Sequence, residues 1–193
     1  MSRRFFELHD DVQAPRRWHL GMPVDARGRA VKEPERFRLG APVSVEGCLR
    51  LPIEVPGRPL DFTEAGVRIP VVHVKVATVF TELAPDDVQL IDVQLIPVDI
   101  DKHEDAYLIL VATRLIRCID EKASRIQRWL PEDGVPEKVG QYASVRGLRI
   151  DASQVGEARV FRPEGWPGAL IISEDLRDAL MRVGATGLSL TDV

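Results

Sequence analysis

The sequence predicts an α+β fold: a mixed β-sheet with two to four helices and a loop-rich β portion towards the N-terminus. Three observations predict it. The first seventy residues are cut by Pro and Gly into short β-prone runs. Two stretches carry apolar residues at helical spacing, each between strand-like runs. Between and after them lie long runs rich in Val, Ile and Leu. A chain of 193 residues suits one domain that buries roughly 70% of its unfolded surface, so residues 1–70 and 71–193 are expected to share one core.

In order, strands are expected over 5–8, 43–45, 49–55 and 67–69, with turns at 25–28 and 56–59. Val76, Val79, Phe80 and Leu83 fall at i, i+3, i+4 and i+7, one apolar face of a helix. Residues 87–96 read DVQLI twice. That period of five places apolar side chains on both faces of a strand, so the strand is either covered on both sides or bulged. A second β run, 107–119, makes 99–105 a charged hairpin tip. Residues 131–134 form a turn, and short strands follow at 148–150, 159–161 and 169–172. Ser173 caps a helix with Glu174 and Asp175 in its first turn, where negative charge favours the dipole. Leu176, Ala179, Leu180 and Val183 form its buried stripe, Gly184 ends it, and Leu188 and Leu190 begin a closing strand. The two strand-helix-strand stretches match in residue type at an offset of one hundred (Val72/Ile172, Val76/Leu176, Phe80/Leu180, Leu90/Leu190), a weak internal repeat.

Composition narrows function. Hydrophobic residues at 45% and charged residues at 29% mark a globular chain, neither fibrous nor disordered. Cys48 and Cys118 lie among apolar neighbours and are expected as reduced, buried thiols of a cytoplasmic protein. Near the N-terminus acidic residues interrupt any signal-like apolar run, and no stretch approaches a membrane span. The net charge is −4, with nine Lys/Arg against six Asp/Glu in residues 1–40 and seventeen against twenty-four thereafter. An acidic body disfavours nucleic acid as the direct partner and suits a basic protein.

No catalytic motif appears. His9, His73 and His103 are scattered without partners at metal-ligand spacing; no metal or cofactor is expected. His73 aligns with Ser173, which points to a capping or packed role. The acidic loop 99–105 lacks the Gly and closing Glu of a calcium loop. Asp120, Glu121 and Ser124, at the end of a long strand, could open a helix near a small-molecule site, but an acidic pair without a basic or nucleophilic partner makes no mechanism. Trp18, Trp129 and Trp166 sit in loop-like contexts, and one of them is a candidate interface anchor.

Residues 3–8 (RRFFEL), 18–21 (WHLG), 87–91 (DVQLI), 96–98 (IPV), 115–120 (LIRCID), 131–134 (PEDG), 137–140 (EKVG), 147–151 (GLRID) and the ending from 172 (ISEDL) to Gly187 resemble a family of immunity proteins abundant in myxobacteria, formerly a domain of unknown function. The likeness spans nearly the whole chain. It implies a protein encoded beside a polymorphic toxin, which it neutralises by binding, and it transfers no catalytic residue. The second DVQLI departs from the family pattern, in which one copy precedes Ile-Pro-Val. The expected toxin-facing patch is Asp99, Asp101, Glu104 and Asp105 with Glu132 and Asp133, and the first expectation for the toxin is a nuclease. Alternatives are a cytoplasmic inhibitor or regulator of a partner protease, and a small-molecule enzyme working near Asp120.

Overall fold

The computed structural model describes residues 3–96 and 106–193. In chain order the strands are β1 (Phe5–Asp10), β2 (His19–Leu20), β3 (Leu49–Val55), β4 (Phe62–Ala65) and β5 (Ile69–His73), followed by helix α1 (Val74–Leu83). Next come β6 (Val88–Ile96), β7 (Tyr107–Ala112), β8 (Leu115–Ile116), β9 (Arg125–Arg128), β10 (Tyr142–Arg146), β11 (Val160–Pro163) and β12 (Ile171–Ser173). Helix α2 (Glu174–Arg182) and β13 (Leu188–Asp192) complete the order. A six-stranded sheet runs β2-β3-β6-β7-β5-β4 and a five-stranded sheet β13-β1-β12-β11-β8, while β9 and β10 form a two-stranded sheet. The parallel pairs β3/β6 and β8/β11 among antiparallel neighbours make the sheets mixed, and the α+β class holds.

Both sheets use the period-two geometry of strands to bury two faces. In β7, Leu108, Leu110 and Ala112 face the helices, whereas Tyr107, Ile109 and Val111 face a layer containing Trp18, Phe37 and Val43. In the other sheet, Phe6, Leu8 and Ile172 face the helices, and Phe5, Phe161 and Ile171 face a cover containing Cys118, Leu148 and Val155. Between them α1 buries Val76, Val79 and Phe80, and α2 buries Leu176, Ala179 and Leu180, in a single cluster. Residues before and after position 70 contribute to that cluster together.

The pairing around the helices follows one scheme twice. The strands on either side of α1, β5 and β6, flank β7 antiparallel; those on either side of α2, β12 and β13, flank β1 antiparallel. Leu90 lies opposite Leu110 and Leu190 opposite Leu8. Phe62 of β4 lies opposite Val72, and Val160 of β11 opposite Ile172. Each helix-to-strand loop also reaches the other half. Thr186 O accepts from Phe62 N at 3.0 Å, and Asp87 Oδ2 accepts from Arg159 N at 2.7 Å and Val160 N at 3.3 Å. Asp61 accepts from Thr186 N and Oγ1, each at 2.8 Å, and pairs with Lys75. Burial pushes the Asp61 carboxyl up, but these donors outweigh it and hold the group below the usual range.

Several expectations change. β6 pairs in register with β7 from Val88 to Val93, so both faces are used and no bulge is needed: Leu90 packs towards the helices and Ile91, Val93 and Leu95 away from them. The run 107–119 is not one strand, because the chain leaves β7 at Ala112 and re-pairs as β8 with β11 in the other sheet. Residues 43–45 make no ladder; the Gln89 amide takes the place of a strand, bonding Val43 N and O at 2.8 Å each. Residues 148–150 reduce to a single Ile119–Ile150 bridge. The run 67–69 begins in a turn, with Gly66 and Arg68 at positive φ, and β5 starts only at Ile69. Ser173 is buried and donates to Asp175 rather than accepting from a helix N–H, whereas His73 Nδ1 does accept from Lys75 N, at 3.2 Å. Val183 lies past the last turn of α2 and is exposed.

Asp87 is 7% exposed, and replacing it by Ala leaves the Val160 N–H, at the edge of β11, buried without this acceptor. That penalty is about 2 kcal/mol, and Asp87→Ala is expected to lower the thermal midpoint by roughly 4–8 °C in a calorimetric scan.

Candidate partner-binding surface

Between β8 and β11 the chain covers the outer face of the five-stranded sheet. Its anchor is apolar: Cys118, Leu148 and Val155, with Ile119, Val145 and Ile150, pack on Phe5, Phe161 and Ile171. Backbone bonds tie its two limbs together, Asp151 N to Cys118 O and Asp120 N to Arg149 O, both 2.8 Å. From this base the β9–β10 hairpin projects as a separate two-stranded sheet.

Polar contacts fix the hairpin's shape. Glu121 accepts from Arg128 Nη2 through both oxygens, at 2.7 and 2.8 Å, and from the Tyr142 hydroxyl at 2.6 Å. Tyr142 and Arg128 hold the Glu121 carboxyl below its usual range. The Arg128 guanidinium lies 4.7 Å from the Tyr142 ring centroid. Tyr142 also rests against Gly165, where a Cβ would come within 2.8 Å of its ring, so the hairpin docks on a position that only Gly fills.

At the tip, two single-turn helices, Pro131–Asp133 and Pro136–Lys138, bring apolar side chains outward. Leu130 is 49% and Val139 42% exposed. Half-buried Trp129 lies beside them with the Lys138 ammonium 5.2 Å from its ring. Glu132, Asp133 and Glu137 are exposed around this patch. An aromatic and two aliphatic side chains within a charged rim match the make-up of a protein interface.

The expected site residues fare differently. Glu132 is exposed at the tip, whereas Asp133 also serves the turn, its Oδ2 accepting from Leu130 N at 2.7 Å. Asp99, Asp101, Glu104 and Asp105, and with them His103, lie outside the described residues. Asp120, Glu121 and Ser124 start no helix: Asp120 Oδ1 closes a turn by accepting from Lys122 N at 2.9 Å and Ala123 N at 3.1 Å, and Glu121 is bound as above. His9 bonds Glu7 at 3.2 Å and takes a bond from Arg68 Nη2 at 2.7 Å. Among the described residues no group of three His, Cys, Asp or Glu is placed to hold a metal, and no helix is long and apolar enough to cross a membrane. Trp18 is core, its Nε1–H donating to Thr63 at 3.1 Å, and Trp166 packs on the cover. Sequence reasoning missed the hairpin itself, since RIQR and YASVR contain no apolar run; the signal available was Trp129 and Leu130 next to the 131–134 turn.

A groove of about 480 Å³ runs beside the hairpin base, lined by Arg117, Cys118, Asp120, Lys122 and Asp151 among others. Burial first, and Asp151 second, push the Cys118 thiol up to about 12, which keeps it protonated and poorly nucleophilic. Cys48 corrects the expectation of two buried thiols: it follows Gly47, at positive φ, outside the sheet, and is exposed. At pH 8 iodoacetamide is expected to modify Cys48 and spare Cys118 until the protein is unfolded, as read by intact mass.

A search among curated proteins finds no match to this chain. A model of an immunity protein family matches residues 48–193, from the start of β3 through the hairpin to the end of β13. With three quarters of its length matched, the chain belongs to the immunity protein family Imm11.

Proposed function

We propose that this protein neutralises a cognate toxin by direct, stoichiometric binding in the cytoplasm, with the β9–β10 hairpin tip as a principal contact. Membership of the immunity family carries the reading, and the tip supplies it with a physical means. Trp129, Leu130 and Val139 give apolar contact, while Glu132 and Glu137 supply rim charge that steers a basic partner. Asp99, Asp101, Glu104, Asp105 and Asp133 are proposed to contact the same partner. A nuclease, basic because it grips nucleic acid, is the toxin class that this charge fits best.

Because a hairpin held by Glu121, Arg128 and Tyr142 needs little ordering on binding, less of the interaction energy is lost to entropy. The protein encoded by the adjacent gene is the probe. Titration calorimetry is expected to give a 1:1 complex that abolishes the toxin's activity, and Leu130→Asp, which leaves the Leu130 N–H bond to Asp133 intact, is expected to weaken it at least tenfold. Protection of cells without any detectable complex contradicts the proposal.

A further inference from the structure

Arg125 and Arg146 stand directly opposite each other at the base of the β9–β10 hairpin. Side chains so placed have Cβ atoms about 5 Å apart, and like charges there oppose pairing. Both residues are exposed. Among the described residues neither guanidinium has a hydrogen-bond or ion-pair partner. Arg128, at the other end of β9, is by contrast neutralised by Glu121. Gln127 and Ser144, two residues along on the same face, bond each other at 2.9 Å and reach neither arginine. Val145, next to Arg146, points the other way into the cover. The two guanidinium forks therefore face outward together, at a cost to the hairpin that no contact within the described chain offsets.

We propose that Arg125 and Arg146 form a two-pronged receptor for a carboxylate on an acidic segment of the toxin, a second contact that orients the partner bound at the hairpin tip. This rests on the binding function proposed above. Guanidinium groups bind carboxylates through paired N–H donors in a planar fork, which gives direction as well as attraction. With Glu132 and Glu137 at the tip and, at the base, two arginines that have no partner among the described residues, the hairpin is electrically polar along its length. A partner with the complementary order of charge, basic towards the tip and acidic towards the base, fits in one orientation only. A carboxylate suits the site better than a nucleic-acid backbone, because the chain as a whole carries a net charge of −4 and phosphate polymers require a dense basic face.

The test compares the wild type with Arg125→Glu, Arg146→Glu and the double Arg125→Gln/Arg146→Gln variant. Each is measured for thermal midpoint and for affinity to the adjacent-gene protein at two salt concentrations. Either single Glu substitution turns a like-charge pair into an ion pair, so the midpoint is expected to rise by about 1–3 °C. The dissociation constant is expected to rise at least tenfold, with a shallower salt dependence, and the double Gln variant is expected to lose affinity without losing stability. A structural role for the pair predicts the reverse, a fall in midpoint with affinity intact, and that result overturns the proposal. Wild-type toxin affinity in all variants, alone or with weakened binding to single-stranded RNA, overturns it too. A wild-type protein that forms no complex at all overturns the binding function and this inference together, and so is told apart from the other results.

Discussion

Everything in this molecule depends on one seam, the packing of α1 against α2 in a core that both sheets share. A ten-residue and a nine-residue helix are too short to persist alone in water. They hold because Val76, Val79 and Phe80 on one, and Leu176, Ala179 and Leu180 on the other, bury against strands on both sides. Each sheet in turn receives a hydrogen-bond partner from the other half: Asp87 accepts from Arg159 N and Val160 N at the start of β11, and Thr186 O accepts from Phe62 N of the edge strand β4.

With the inner faces committed to the helices, each sheet needs a second cover, and the two covers differ. Apart from β2, residues 11–45 lie on the six-stranded sheet as turns, loops and one short 3-10 helix (Pro34–Arg38) around Trp18, Phe37 and Val43. The cover on the five-stranded sheet instead carries a hairpin that extends beyond it. That asymmetry, imposed on two halves with the same strand pairing, locates the elaboration that the common scaffold does not require. Exposed Leu130 and Val139, and Arg125 and Arg146, which have no ion-pair partner among the described residues, all occur there.

Much of the scaffold was legible in the sequence because periodicity reports burial. The α1 and α2 stripes, β3, β6 and β13 follow from apolar spacing. What was illegible depends on partners distant in the chain. β8 exists because β11 lies alongside it, and the Gln89 side chain stands in for a strand beside Val43. The hairpin strands are too short and polar to show a period. The 131–134 turn that carries exposed Glu132 was legible from its Pro and Gly. The apolar tip and the opposed arginines required knowing which residues face each other, and residues 99–105 lie outside the described residues.

Amide hydrogen exchange on the complex with the adjacent-gene protein tests the account most directly. The account predicts that binding slows exchange in the hairpin, residues 125–146, while the α1–α2 seam and the 11–45 cover exchange as in the free protein. Protection centred on the 11–45 cover, with the hairpin unchanged, would contradict it.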